Sequence, residues 1–404
     1  MVKHLHQLSR IEEAINKAQS RWTLCWIGED QSKKLAMLTN DLRGKVSTTG
    51  DGKKISSGFS YWGIGPTIAW NRACNDPFYM VMKESIETFP DRLAQLLPHI
   101  GQQNYHYVSL GVGTGHKDRH ILNELHKICS DLCYFPVDMS LEMLRIGTQE
   151  ATIGIPIEPC KVLLIQIDFS IAKNVEESRH LLDRIVGDEP ILFSLLGNTL
   201  ANFDRDVTFF KTIAKLLRPQ DRLMLEVAST DTLSDNAVQE ATEEYARSKA
   251  FKEFVTSALL QNTNLHVYTE DVSFVGLIEP DRAIQIKALY HNRTGSSTNI
   301  MLPDRSEIDF PVEDTIRLYL TRKYTNHGIN ALVDECGFSP LAQKQSMFSS
   351  AHGSFNFGMT VMLLQSKSSK RWESTAIRPS LPDQTLAERL NNALTDRDGK
   401  LEII

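Results

Sequence analysis

The sequence predicts an α/β protein: a Rossmann-like sheet preceded by a helical N-terminal region and interrupted by an inserted α+β lobe. Three observations carry that prediction. The first is Val108-Ser-Leu-Gly-Val-Gly-Thr-Gly115, an apolar run followed by glycines at alternate positions, which marks a strand turning sharply into a helix. The second is Phe135-Pro-Val-Asp-Met-Ser140, a second apolar run that ends in a carboxylate. The third is the strand–helix alternation that surrounds both and recurs through residue 230.

Residues 1–100 read as a largely helical region, amphipathic over Leu5–Ala18 and again after Asp76-Pro77, where Met80, Met82, Ile86 and Phe89 recur. Between these, Thr48-Thr-Gly-Asp-Gly-Lys-Lys is a turn-rich loop leading into Phe59-Ser-Tyr-Trp-Gly-Ile-Gly-Pro66. That aromatic, glycine-rich segment is either core or a lid over a neighbouring cleft. Residues 101–230 supply the parallel sheet, with strands expected at Tyr107–Leu110, Tyr134–Val137, Val162–Ile167, Ile191–Leu196 and Arg222–Val227. Ligands collect where such strands end. At 231–315 the alternation stops and a lobe is expected, with helices over Ser234–Leu260 and strands at Val272–Val275 and Ala283–Leu289. The region 316–365 returns to the sheet through a helix at Asn326–Glu335 and a last strand at Phe357–Leu364. Residues 366–404 are polar and read as a tail with one amphipathic stretch at Leu386–Leu394.

The glycine turn is a place where backbone approaches a ligand. Gly111, Gly113 and Gly115 remove the Cβ atoms that would stand in the way, and Asp138, at the end of the next strand, suits a ribose diol. Asp168 and Phe169 follow the third strand, where a carboxylate can accept from the adenine amine and a ring can stack on the base. Asp168 could instead cap a helix. The fourth strand opens into Leu196-Gly-Asn-Thr-Leu-Ala-Asn-Phe-Asp204, a polar turn in which Asn202 can both donate to and accept from a substrate, and Asp204 reads as a helix cap. The glycine spacing is G-x-G-x-G with His116 next, whereas dinucleotide sites use G-x-G-x-x-G. The closer spacing is more typical of enzymes that use S-adenosylmethionine (SAM), which has no pyrophosphate to cradle.

Composition narrows the partners. The chain has 404 residues, 41% hydrophobic and 23% charged, with a net charge of −6, which fits a globular enzyme and gives no support for a nucleic-acid partner. No apolar run suits a membrane span, and Met1-Val-Lys-His lacks a signal-peptide core, so a cytoplasmic protein is expected. The six cysteines form no C-x-x-C pair and no zinc-ligand spacing, so no metal is expected. A small-molecule partner is expected, and nothing in the sequence specifies an oligomeric state.

Taken together, Leu-Gly-Val-Gly-Thr-Gly, Pro-Val-Asp-Met-Ser, Asp168-Phe169, Leu-Gly-Asn-Thr-Leu-Ala-Asn-Phe and Leu-Arg-Pro resemble the histidine-specific SAM-dependent methyltransferase family, most clearly over residues 105–230. The resemblance implies a class I SAM methyltransferase sheet. It places Gly111, Gly113, Gly115, Asp138, Asp168 and Phe169 on SAM and Asn202 on an amino-acid acceptor, with Tyr61 and Tyr79 in surroundings like those of the family's tyrosines. Counting back from Lys323-Tyr324, the family's Glu-x-Ser positions fall on Tyr319 and Thr321. A phenol in place of a carboxylate loses the charge-assisted bond to an imidazole N–H. The expected activity is therefore N-methylation of an amino acid or small amine with a side chain other than histidine's, and Tyr61, Tyr79, Asn202 and Tyr319 are the expected acceptor residues. A non-catalytic SAM-fold subunit and an NAD(P)-dependent oxidoreductase are the alternatives; His116, where a phosphate fingerprint would continue, argues against the latter.

Overall fold

The computed structural model describes residues 23–28, 31–101, 103–350 and 353–367. The expected helix at Leu5–Ala18 and the amphipathic stretch at Leu386–Leu394 lie outside the described residues. Strands are numbered in chain order: β1 Thr23–Trp26, β2 Lys53–Lys54, β3 His106–Leu110, β4 Tyr134–Asp138, β5 Leu163–Gln166, β6 Ile191–Leu195, β7 Arg222–Thr230, β8 Val272–Glu279, β9 Ala283–His291, β10 Thr298–Met301, β11 Glu307–Phe310, β12 Thr315–Tyr324, β13 Phe338–Ser349 and β14 Asn356–Ser366.

The main sheet runs β1-β5-β4-β3-β6-β7, every neighbour parallel. β14 then adds antiparallel to β7, and β13 antiparallel to β14. β3, β4 and β6 are buried at every position, as strands covered on both faces must be. One face packs on the helices Ala172–Val186, Asp206–Ala214 and Asn326–Glu335 through Leu182, Ile185, Phe210, Ile213 and Leu332. The other packs on Phe89–Ile100 and His116–Ile128 through Leu93, Leu96, Ile121 and Leu125.

Two features depart from the sequence reading. The first hundred residues include β1, which pairs parallel with β5 at the sheet edge from Thr23↔Leu163 to Trp26↔Gln166. Four residues are too few for a periodicity to show. In addition, β12, which falls on the core side of the 315/316 boundary, pairs antiparallel with β9 over its length, and β9 pairs with β8. Its contact with the core ladder is one bridge, Tyr324↔Ser229. β6 stops at Leu195↔Leu225, and β12 takes up that edge of β7 where β6 leaves off. The chain between Leu196 and Asn202 therefore turns in the gap where core sheet, lobe sheet and N-terminal helices meet.

Candidate active site

All three glycines of the turn after β3 have positive φ (Gly111 80°, Gly113 54°, Gly115 79°), a conformation that costs other residues strain. Gly115 precedes the helix His116–Ile128, and a Cβ there would lie 2.1 Å from the Gly147 carbonyl oxygen. A Cβ on Gly111 or Gly113 would meet nothing nearer than 3.8 Å, so these two face open space. That space is a cavity of about 560 Å³ bordered by the turn, Asp138, Asp168, Phe169, Asn202 and Tyr61. The size suits a cofactor together with part of a small substrate.

Asp138 ends β4, nearly buried, and accepts from the Ser140 N–H at 2.9 Å. Burial raises its pKa to about 6, although the backbone N–H groups of Ser140, Met139 and Gly113 and the Lys34 charge pull the other way. Lys34 is itself buried, lies 5.9 Å from the Trp62 ring centroid, and sits in the field of both Asp168 and Asp138. Asp168 does not cap the helix Ala172–Val186; it accepts from Ser170 N–H at 3.0 Å and Oγ at 2.5 Å, closing the turn that presents Phe169. Phe169 is half-buried and leans on Phe209, centroids 6.0 Å apart. Asp204 is not a cap either: it accepts from Arg317 at 2.6 and 2.7 Å and from Lys54 at 2.8 Å.

Tyr61 and Asn202 border the cavity, and Tyr319 stands behind them: Tyr61 Oη lies 3.0 Å from Tyr319 Oη and accepts from Asn202 Nδ2 at 3.3 Å. Residues separated by more than two hundred positions thus share one polar cluster, brought together because β12 passes beside the 3₁₀ turn Thr199–Asn202. Burial pushes the Tyr61 and Tyr319 hydroxyls above the ordinary tyrosine range, so both remain protonated. Tyr61 packs edge-on against Trp70 at 5.1 Å and against Phe254. Tyr79 does not border the cavity. It stands one layer back, 6.5 Å from Trp70, with its ring against Phe251 and Tyr245.

Sequence reading missed Trp70, Lys117 and Glu226. Lys117 follows the last glycine by two residues and borders the cavity from the first helical turn. Its position relative to the glycines was the available signal. Glu226 had none, since a charged residue inside Leu-Met-Leu-Glu-Val-Ala reads as an interruption of the strand.

A family model described as "Histidine-specific methyltransferase, SAM-dependent" matches residues 38–359. The chain belongs to that family. As a member of the histidine-specific methyltransferase family, the protein is a SAM-dependent methyltransferase, which sets aside the oxidoreductase and scaffold alternatives. Its sheet, six parallel strands followed by the antiparallel β14 and β13, is the Rossmann-like sheet that the sequence predicts. The residues present fit SAM: an open glycine cradle, a buried carboxylate, an aromatic ring beside a second carboxylate, and an ammonium at the helix start. Similar solved structures include a SAM-dependent methyltransferase from Clostridium acetobutylicum (12% identity, 70% of this chain and 92% of that chain covered, TM-score 0.36). Another is magnesium protoporphyrin IX methyltransferase from Synechocystis with bound S-adenosylhomocysteine (10% identity, 76% and 96% covered, TM-score 0.38). A third is a glycopeptide N-methyltransferase complexed with SAM (11% identity, 70% and 94% covered, TM-score 0.30). No curated protein matches the chain. Among the described residues of this family member, no helix is long and apolar enough to cross a membrane.

Proposed function

We propose that this enzyme N-methylates an amino acid or related small amine whose side chain is uncharged. The observation that carries the reading is the Tyr61–Asn202 pair bordering the same cavity as the glycine turn, with the Tyr319 hydroxyl bonded to Tyr61 from behind. The three polar groups are neutral, and the aromatic rings of Trp70 and Phe254 back them.

SAM supplies an activated methyl group when bound, so the chain's work is to hold both partners and exclude alternatives. On the cofactor side, the turn Gly111–Gly115 lets backbone approach, Asp138 would hold the ribose hydroxyls, and Asp168 with Phe169 would hold adenine. Lys117, an ammonium at the start of the helix that borders the cavity, would hold the carboxylate of the methionyl end. On the acceptor side, Asn202 and Tyr61 orient the amine through hydrogen bonds. An ammonium must shed a proton before it can attack, and the two phenols, held protonated, do not take it. Water is the acceptor in this reading. Tyr319, standing where the family's Glu is expected, offers a hydroxyl in place of a charge. This supports a neutral side chain over an imidazole that needs a carboxylate partner.

The test is methyl transfer from methyl-labelled SAM to a panel of free amino acids and primary amines, with the labelled atom located by NMR. Label on nitrogen is expected, with kcat/KM reduced by about 10- to 1,000-fold in Asn202→Ala and Tyr61→Phe, the loss of one or two oriented hydrogen bonds. Label confined to oxygen or sulfur, or unchanged kinetics in both variants, would overturn the proposal.

A further inference from the structure

Behind the glycine turn lies a fully buried carboxylate that the proposed chemistry does not use. Glu226, in the middle of β7, has no exposed surface. Its Oε1 accepts from Arg92 Nη2 at 2.6 Å. Its Oε2 accepts from the Gly197 N–H at 2.9 Å, from Ser85 Oγ at 3.2 Å and from Lys117 Nζ. Arg92 is also buried; Nη2 reaches the Ser85 carbonyl at 2.9 Å as well, Nη1 reaches Ser346 Oγ at 2.6 Å and Thr88 Oγ1, and Nε has no hydrogen-bond partner among the described residues. Four segments therefore meet on one carboxylate: the core strand, the N-terminal helices, the first turn of the cofactor helix and the turn that carries Asn202.

Burying charges is costly unless they are paired, and this cluster sets two cations against one carboxylate. Of the two cations, Lys117 is the one that borders the cavity. We infer that Glu226 is a positioning residue. Its carboxylate holds the Lys117 ammonium charged and aimed at the cofactor site, and the same oxygen fixes the Gly197 N–H, and with it the acceptor turn. The inference rests on the assignment of Lys117 to the cofactor's carboxylate made above.

The groups facing Lys117 can be named from every side. Glu226 comes from β7, Arg92 and the Phe89 ring (5.5 Å to its centroid) from the helix Phe89–Ile100, Ser85 from Met80–Glu87, and Cys74 from Ile64–Cys74. Asp118, beside it on its own helix, is engaged by the hydroxyls of Tyr107 at 2.8 Å and Tyr134 at 2.6 Å. Burial and the Arg92 charge press Lys117 to give up its proton, and Glu226 opposes them. Burial keeps the Cys74 thiol protonated and uncharged. Without the Glu226 charge, Lys117 loses its proton at a lower pH, and a cofactor carboxylate loses its partner. An arginine at 117 would keep its charge throughout.

The experiment is calorimetric titration with S-adenosylhomocysteine from about pH 7.5 to 9.5, above the Asp138 transition, for wild type, Glu226→Gln, Lys117→Met and Glu226→Gln/Lys117→Arg. Profiles are compared with wild type, so titration of the ligand's own amine cancels. Glu226→Gln is expected to lose affinity relative to wild type by up to about tenfold per pH unit, and the arginine double variant is expected to run parallel to wild type. If Glu226→Gln does not fold, Glu226→Gln/Arg92→Met removes one charge of each sign and is expected to show a pH-dependent loss of the same direction, smaller because the Arg92 charge no longer presses Lys117. A glutamine variant whose profile runs parallel to wild type would overturn the inference while leaving Lys117 in place. Wild-type affinity in Lys117→Met would instead overturn the assignment of Lys117, and this inference with it.

Discussion

The side-chain amide of Asn198 donates to Thr321 Oγ1 at 3.0 Å. The same nitrogen donates to the Arg322 carbonyl at 3.1 Å, and Oδ1 accepts from the Ala228 N–H at 2.8 Å. Asn198 thus stands as a rung between β7 and β12 at the point where β6 has ended. Its φ of 65° is tolerated by asparagine better than by most residues. Thr321, at the position where the family's substrate-facing Ser is expected, is 2% exposed and spends its hydroxyl on this rung. Asn198→Ala removes three buried hydrogen bonds and keeps the strained backbone, so it is expected to destabilise the protein by about 2–4 kcal/mol. Asn198→Gly relieves the backbone alone and should fall between that variant and wild type. Urea unfolding of the three proteins checks both statements.

Gly115 and Gly147 are packed backbone to backbone. A methyl group at 115 would need φ of 79° and would collide with the Gly147 oxygen, and a Cβ at 147 would come within 2.6 Å of the Gly113 oxygen. Gly154 has a similar φ, 74°, with nothing within 4 Å. Gly154→Ala is expected to cost about 1 kcal/mol, the strain alone, and Gly115→Ala about 3 kcal/mol or more, strain plus collision. Thermal unfolding separates them. Binding of S-adenosylhomocysteine should weaken in Gly115→Ala and persist in Gly154→Ala.

Asp138 is expected to make cofactor binding pH-dependent. With its pKa raised to about 6, chiefly by burial, the carboxylate is ionised above that pH and, on the proposed assignment, would then accept from the ribose hydroxyls. Affinity for S-adenosylhomocysteine should therefore fall as pH drops through about 6, and Asp138→Asn should bind weakly with that dependence removed. Stability runs the other way. A carboxyl whose folded pKa lies above its unfolded value near 3.8 favours the protonated native state. Its contribution to the ligand-free protein therefore declines as pH rises from about 4 to 6. Calorimetric titration and urea unfolding at matched pH values test the two signs.

The cofactor side of the site was largely legible because it is local. The glycine turn, Asp138 and the Asp168-Phe169 pair each lie at the end of a strand whose apolar run announces it, and strand ends in a parallel sheet converge by construction. The acceptor side was legible only by residue. Asn202 and Tyr61 could be nominated, but Tyr79, nominated with them, stands behind Trp70, because a helix start places its side chain by packing against Phe251 and Tyr245. Asp204, read as a cap, is drawn instead to Lys54 and Arg317, cations from two distant segments.

By itself, the sequence determined the parallel sheet, the glycine turn and the type of cofactor. These rest on periodicity and on backbone conformations that few residues tolerate. The tertiary structure decided which groups border the cavity and which stand behind it. The Tyr61–Tyr319 contact, the Asn198 rung and the Glu226 cluster join segments more than a hundred residues apart, and each depends on where β12 and the N-terminal helices dock against β7. Docking of that kind is set by the shape and burial of whole surfaces, which no local pattern of residues records.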